Sequence, residues 1–161
     1  MESIYLGAIV SAIAMKNRNL GLYRAVTAKV TDSTTRQVFD TLTKEESGHL
    51  EDFCKLYQGD ENELDDILNR NDIFSDPYYC SILTSIKGDS AEFEALRIAL
   101  RHEQSCIEWF TIFADIIREP HICAVFARVL EESNKRADLI SEEYSRLMNI
   151  VGQGVSSELR V

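Results

Sequence analysis

The sequence predicts an all-α chain of four long helices, with a long connection between the second and third. Three observations carry this. Apolar residues recur at steps of three and four along four long stretches, as they do where a helix buries one face. Breakers are scarce, with 2 Pro and 7 Gly in 161 residues, which disfavours a many-turned β sandwich. The chain also repeats itself: Val38-Phe39 matches Val125-Phe126, Tyr23 matches Phe110 and Tyr57 matches Tyr144, each at an offset of 87 residues. Two helix pairs related in this way pack as a four-helix bundle.

The first helix is expected from about Ser3 to Val30, with Ile9, Ile13, Leu20, Tyr23 and Val30 inward. Its apolar start, Ile4 to Met15, is too short for the ~20 residues of a membrane span. It is also preceded by Glu2 and by no Lys or Arg, which is wrong for a signal peptide. Asp32 or Ser33 offers a cap for the second helix, which runs to about Tyr57 with Phe39, Leu42, Glu46, His49, Phe53 and Leu56 on its seam. Residues 58–88 read as the connection between the pairs. A short helix is expected at Glu63 to Leu68, and turns at Asp76-Pro77 and Lys87-Gly88-Asp89.

The third helix is expected from about Ser90 to Arg118, with Leu96, Leu100, Glu103, Ile107, Phe110 and Phe113 or Ala114 on one side. Pro120 suits the first turn of a fourth helix, running to about Val151. Its seam reads Phe126, Val129, Ser133, Arg136, Ile140, Glu143 and Leu147, and Glu143 there suggests a position that reaches water. The bundle thus occupies 1–151, and 152–161 read as a frayed polar tail.

Composition narrows the function classes. A net charge of −10 argues against a nucleic-acid partner, since a phosphate backbone wants a basic stripe, and against an anionic membrane surface. Cys54, Cys80, Cys106 and Cys123 form no C-x-x-C pair, and the expectation is free thiols in a reducing cytoplasm. The acidic run Asp60-Glu61-Asn62-Glu63 lacks the Gly and final Glu of a calcium loop and reads as solvated. His102 lies one position off the seam and His121 near a helix start; neither has a partner legible in the sequence. Cys106, about one turn after Glu103, reads as a buried free thiol.

The chemistry lies in the polar residues of the seams. Lys16 and Glu103 are related by the same 87-residue offset, and Glu46 and His49 share one face of the second helix. Charges at one depth of a bundle cost several kcal/mol unless paired, so they must neutralise one another, bind something, or be wet. Glu-x-x-His on a bundle helix is the di-metal carboxylate pattern, in which carboxylates bridge hard ions and imidazole fills a terminal position.

These residues resemble the rubrerythrin-like branch of the ferritin-like superfamily over roughly residues 3 to 150. The likeness rests on Ala14-Met15-Lys16 with Tyr23, on Phe39, Leu42 and Glu45-Glu46-Ser47-Gly48-His49, then on Glu103, Trp109-Phe110, Phe126 and Glu131-Glu132-Ser133. It implies a ferritin-like fold, a homodimer, and two irons held by a Glu on each of helices one and three and Glu-x-x-His on helices two and four. This chain departs from that pattern. Lys16 holds the helix-one Glu position, and helix four lacks its His. Matching Glu-Glu-Ser to Glu-Glu-Ser puts Glu132 and Lys135 at the helix-four positions; matching the seam puts Ser133 and Arg136 there. The seam alignment is favoured, because side-chain direction follows it.

The expected site is therefore a degenerate di-iron centre. Glu46 and Glu103 face Lys16 and Arg136 with His49 adjacent, which balances formal charge without metal. The expected metal content is none, or one iron, zinc or manganese ion on Glu46, His49 and Glu103 with Glu132; a two-iron centre ranks below both. The function expected first is a non-catalytic binding or regulatory bundle. The alternative is a metal-dependent oxidoreductase of the di-iron peroxidase or ferroxidase type, which would need an external electron donor.

Overall fold

The computed structural model describes residues 3–70 and 73–158, the last four by backbone alone. Every regular element among them is helical. The order is α1 (Ser3–Thr27), α2 (Ser33–Leu56), α3 (Glu61–Asn69), α4 (Pro77–Ser85), a single 3-10 turn at Gly88–Ser90, α5 (Ala91–Ile116) and α6 (Pro120–Glu158). No helix is long and apolar enough to cross a membrane among the described residues.

Local chemistry sets the ends. The Asp32 carboxylate accepts from the Thr35 N–H at 2.8 Å and caps α2. Asp60 caps α3 in the same way. Asp76-Pro77, expected as a turn, opens α4: Asp76 accepts from the Tyr78 N–H and Pro77 sits in the first turn, where its missing N–H costs nothing. Gly88 takes φ 64° where the chain turns toward α5, a backbone region that glycine enters without strain. The Glu92 carboxylate then ties the start of α5 to the α1–α2 turn, accepting from Thr31 N, Thr31 Oγ1 and Asp32 N.

The four long helices form two pairs, α1 with α2 and α5 with α6, joined through α2–α6 and α1–α5 contacts. Every residue expected inward on α2 and on the α6 seam is buried. Glu143 does not reach water as expected. It is buried, takes a hydrogen bond from Thr35 Oγ1 at 2.5 Å, and pairs with Arg146 at 2.7 Å. Arg146 also reaches Asp32 Oδ1 at 2.6 Å, so one guanidinium closes this end of the core. The helix expected to end near Val151 continues to Glu158; the remainder of the expected tail, 159–161, lies outside the described residues.

The connection is more than a linker, because α3 and α4 both pack on α1. That cover explains why α1 buries residues around much of its circumference, including Asn17, whose Nδ2 donates to the Leu68 carbonyl at 2.8 Å.

Apolar residues gather in two clusters. One holds Tyr23, Phe39, Leu42, Leu96 and Ile140. The other holds Ile9, Ile13, Phe53, Phe110 and Phe126, with Phe53 stacked on Phe110 at 5.6 Å and edge-on to Phe126 at 5.2 Å. Such ring pairs add ~0.5–1.5 kcal/mol beyond area burial. A polar layer lies among them.

A buried charge layer as the candidate functional site

Every long helix contributes to this layer. Lys16, Asn19 and Tyr23 come from α1, Glu46 and His49 from α2, Glu103 and Cys106 from α5, and Ser133 and Arg136 from α6. Helical spacing puts each set on one inward face. Lys16, Glu46, Glu103 and Ser133 are 0% exposed, and His49 and Arg136 are 2% exposed.

The contacts form one network. The Lys16 ammonium lies 3.2 Å from Glu46 Oε1 and 5.1 Å from the Phe110 ring centroid, so a carboxylate and a ring face share its charge. Asn19 Nδ2 donates to Glu46 Oε1 at 3.2 Å and to Cys106 Sγ at 3.3 Å. Arg136 carries the other half. Its Nη1 lies 2.9 Å from Glu46 Oε2, while its Nη2 and Nε donate to Glu103 Oε2 at 3.0 and 3.2 Å. The second Glu103 oxygen accepts from the Tyr23 hydroxyl at 2.6 Å. Two carboxylates and two cations thus cancel in formal charge within a space closed to water.

His49 links this layer to the rim. Its Nδ1 faces Arg136 Nη1 at 3.5 Å, and its Nε2 pairs with the Glu132 carboxylate, which is 35% exposed. The same Nδ1 lies 3.7 Å from Glu46 Oε2, so the ring stands between the buried layer and the rim carboxylate.

The titration behaviour follows from position. Burial alone would raise the Glu46 carboxyl, but the Lys16 charge, the His49 hydrogen bond and the Arg136 guanidinium outweigh it and hold the group well below the usual carboxylate range. Burial and the Glu103 and Glu46 carboxylates push the Tyr23 phenol well above its ordinary value, which keeps it a donor. Burial pushes the Cys106 thiol up to about 11.

The sequence-derived residues come together in part. Lys16, Glu46, His49, Glu103 and Arg136 meet as expected from the seam, and Ser133 Oγ lies 3.3 Å from Arg136 Nη2. Glu132 stands at the rim on His49, and Lys135 points to solvent on Glu131 at 2.7 Å. Two further participants carry no charge that marks them in the sequence. Tyr23 and Asn19 follow Lys16 by seven and three residues, and that spacing is the signal that puts both on its face. His102 and His121 take no part in the layer.

The donor set does not suit a two-metal centre. A metal ligand needs a free lone pair directed at the ion, and a charged ammonium or guanidinium offers none. Here both Glu46 oxygens and both Glu103 oxygens already accept from Lys16, Asn19, Arg136 or Tyr23. Among the described residues, no three His, Cys, Asp or Glu side chains converge as a metal-holding group.

Comparison with protein-family models, with curated proteins and with solved structures finds no match for this chain.

Proposed function

We propose that this chain is a ferritin-like four-helix bundle of the rubrerythrin kind whose di-iron centre has been replaced by buried Lys/Arg–Glu pairs. It acts as a binding or regulatory module, takes up at most one metal ion and carries no redox catalysis of its own. The observation that supports this is Arg136. Its guanidinium sits between Glu46 and Glu103, where a bridging cation would sit, and supplies a fixed positive charge to both. A planar fork that is always protonated does this permanently, whereas an exchangeable ion would not. The layer ties all four long helices together, and a buried ionic network of this kind is suited to fixing helix register. A homodimer is part of the same reading.

The test is metal loading. The purified protein is incubated anaerobically with Fe(II), desalted, and metal per chain is counted beside a His49→Ala control. The expected result is no stoichiometric iron in either. One ion lost in the control would assign a residual site to His49. Two ions per chain lost in the control would overturn the proposal and restore the oxidoreductase.

A further inference from the structure

We infer that the cleft between α1, α4 and α5 is a binding site for a small organic or inorganic anion. This goes beyond the charge layer and does not depend on its metal content. The cleft measures about 380 Å³, within the usual size of small-molecule sites. Residues one helical stripe apart on α1 form one wall, among them Ser11, Met15 and Arg18, and α5 supplies His102, Ser105 and Cys106. Tyr79 of α4 closes the third side, its ring 6.4 Å from that of His102.

Three features point to an anion. The chain carries a net charge of −10, yet no carboxylate lines the cleft; Arg18 is its charged group, and burial lowers the pKa of His102, which leaves that ring a neutral N–H donor. Arg18 is exposed, and its guanidinium stands against the Tyr79 hydroxyl at the opening. The donors are also uncommitted. Among the described residues neither nitrogen of the half-buried His102 ring has a hydrogen-bond partner, and the exposed Ser11 and Ser105 hydroxyls have none either. A half-buried ring nitrogen without a protein partner gives up part of its hydration with no hydrogen bond in return. A carboxylate or phosphate oxygen on His102, clamped by Arg18, would restore it. The floor is soft and apolar, with Met15 Sδ 3.5 Å from Cys106 Sγ, and suits a short apolar body behind the charged head.

The test is an NMR titration of the full chain, following the His102 ring signals, with inorganic phosphate and with benzoate as separate probes. Saturable shifts with phosphate assign a phosphate-type head, and with benzoate a carboxylate with an apolar body. In either case Arg18→Gln weakens binding by at least about tenfold. Because Arg18 is exposed, that variant keeps the wild-type melting curve. No saturable shift with either probe, or binding that Arg18→Gln leaves unchanged, would overturn the inference. Iron counts measured separately on the same preparation leave this result unaffected.

Discussion

Arg136 and Glu46 are joined across α6 and α2 by an Nη1–Oε2 contact of 2.9 Å, with both side chains withdrawn from water. Neither residue is stable there alone. Removing one partner of a buried pair leaves an uncompensated charge and costs ~3–5 kcal/mol. Arg136→Met is therefore expected to lose about that much stability, since Glu46 would keep Lys16, Asn19 and His49 but no guanidinium, and Glu103 only Tyr23. Lys16→Glu is expected to be at least as harmful, because three inward acids would then face one guanidinium. Urea unfolding at neutral pH reads both. Wild-type stability in either variant would sink the network as described.

Acid acts on the same pair with a definite sign. The ionised form of Glu46 is favoured in the folded chain, so its pKa lies below the ordinary 4.5. Its contribution is complete above that value and is lost as pH falls below it. Asp32 and Glu143 act in the same direction, Asp32 through the Thr35 N–H and Glu143 chiefly through Arg146. The urea midpoint is expected to hold from neutral pH down to about 5 and then fall steeply. A midpoint flat to pH ~3 would contradict the assignment of these carboxylates as ionised partners.

The repeat shows why so much of this site is legible in the sequence. His49 meets Arg136, and Asn19 meets Cys106, and each pair is 87 residues apart. Residues meet their own repeat mates near an axis relating two helix pairs, so a single offset read from aromatic matches carries over to the polar layer. The α6 register follows for the same reason: Ser133 and Arg136 extend an apolar seam, while Glu132 and Lys135 do not. What escaped the sequence has physical causes too. Asp76-Pro77 carries turn chemistry and helix-start chemistry alike, and only packing of the following Tyr79 and Leu83 decides for a helix. Glu143 breaks the apolar seam in the sequence, while its partners, Arg146 one turn on and Thr35 on α2, are set only by packing.

The thiols separate by burial. Cys106 is 2% exposed, and its pKa of about 11 leaves almost no thiolate at pH 8. Cys54, Cys80 and Cys123 are half-buried, and all four cysteines are free. An aromatic disulfide reagent at pH 8 is expected to titrate three thiols in the native protein and the fourth only in urea. Loss of the slow thiol in Cys106→Ala identifies it. Four equally fast thiols would show that the layer opens to solvent on the timescale of the assay.

Restoring the ligands is the strongest challenge to the proposed replacement of metal by cations. Lys16→Glu, Ser133→Glu and Arg136→His together convert the network to a Glu on α1 and α5 with Glu-x-x-His on α2 and α6. Each change alone leaves charges unbalanced, and the triple variant gathers four acids and two imidazoles at one depth. Without metal it is expected to be much less stable than wild type, by more than the ~3–5 kcal/mol of a single broken pair. With Fe(II) or Mn(II), carboxylates and imidazoles gain a cation to bind, and linkage makes that binding energy folding energy. About two ions per chain and a large rise in melting temperature are then expected in the triple variant, against no rise in wild type. If the triple variant stays destabilised with metal and binds none, these helix faces do not hold a metal-site geometry, and the descent of the layer from a di-iron centre falls with it.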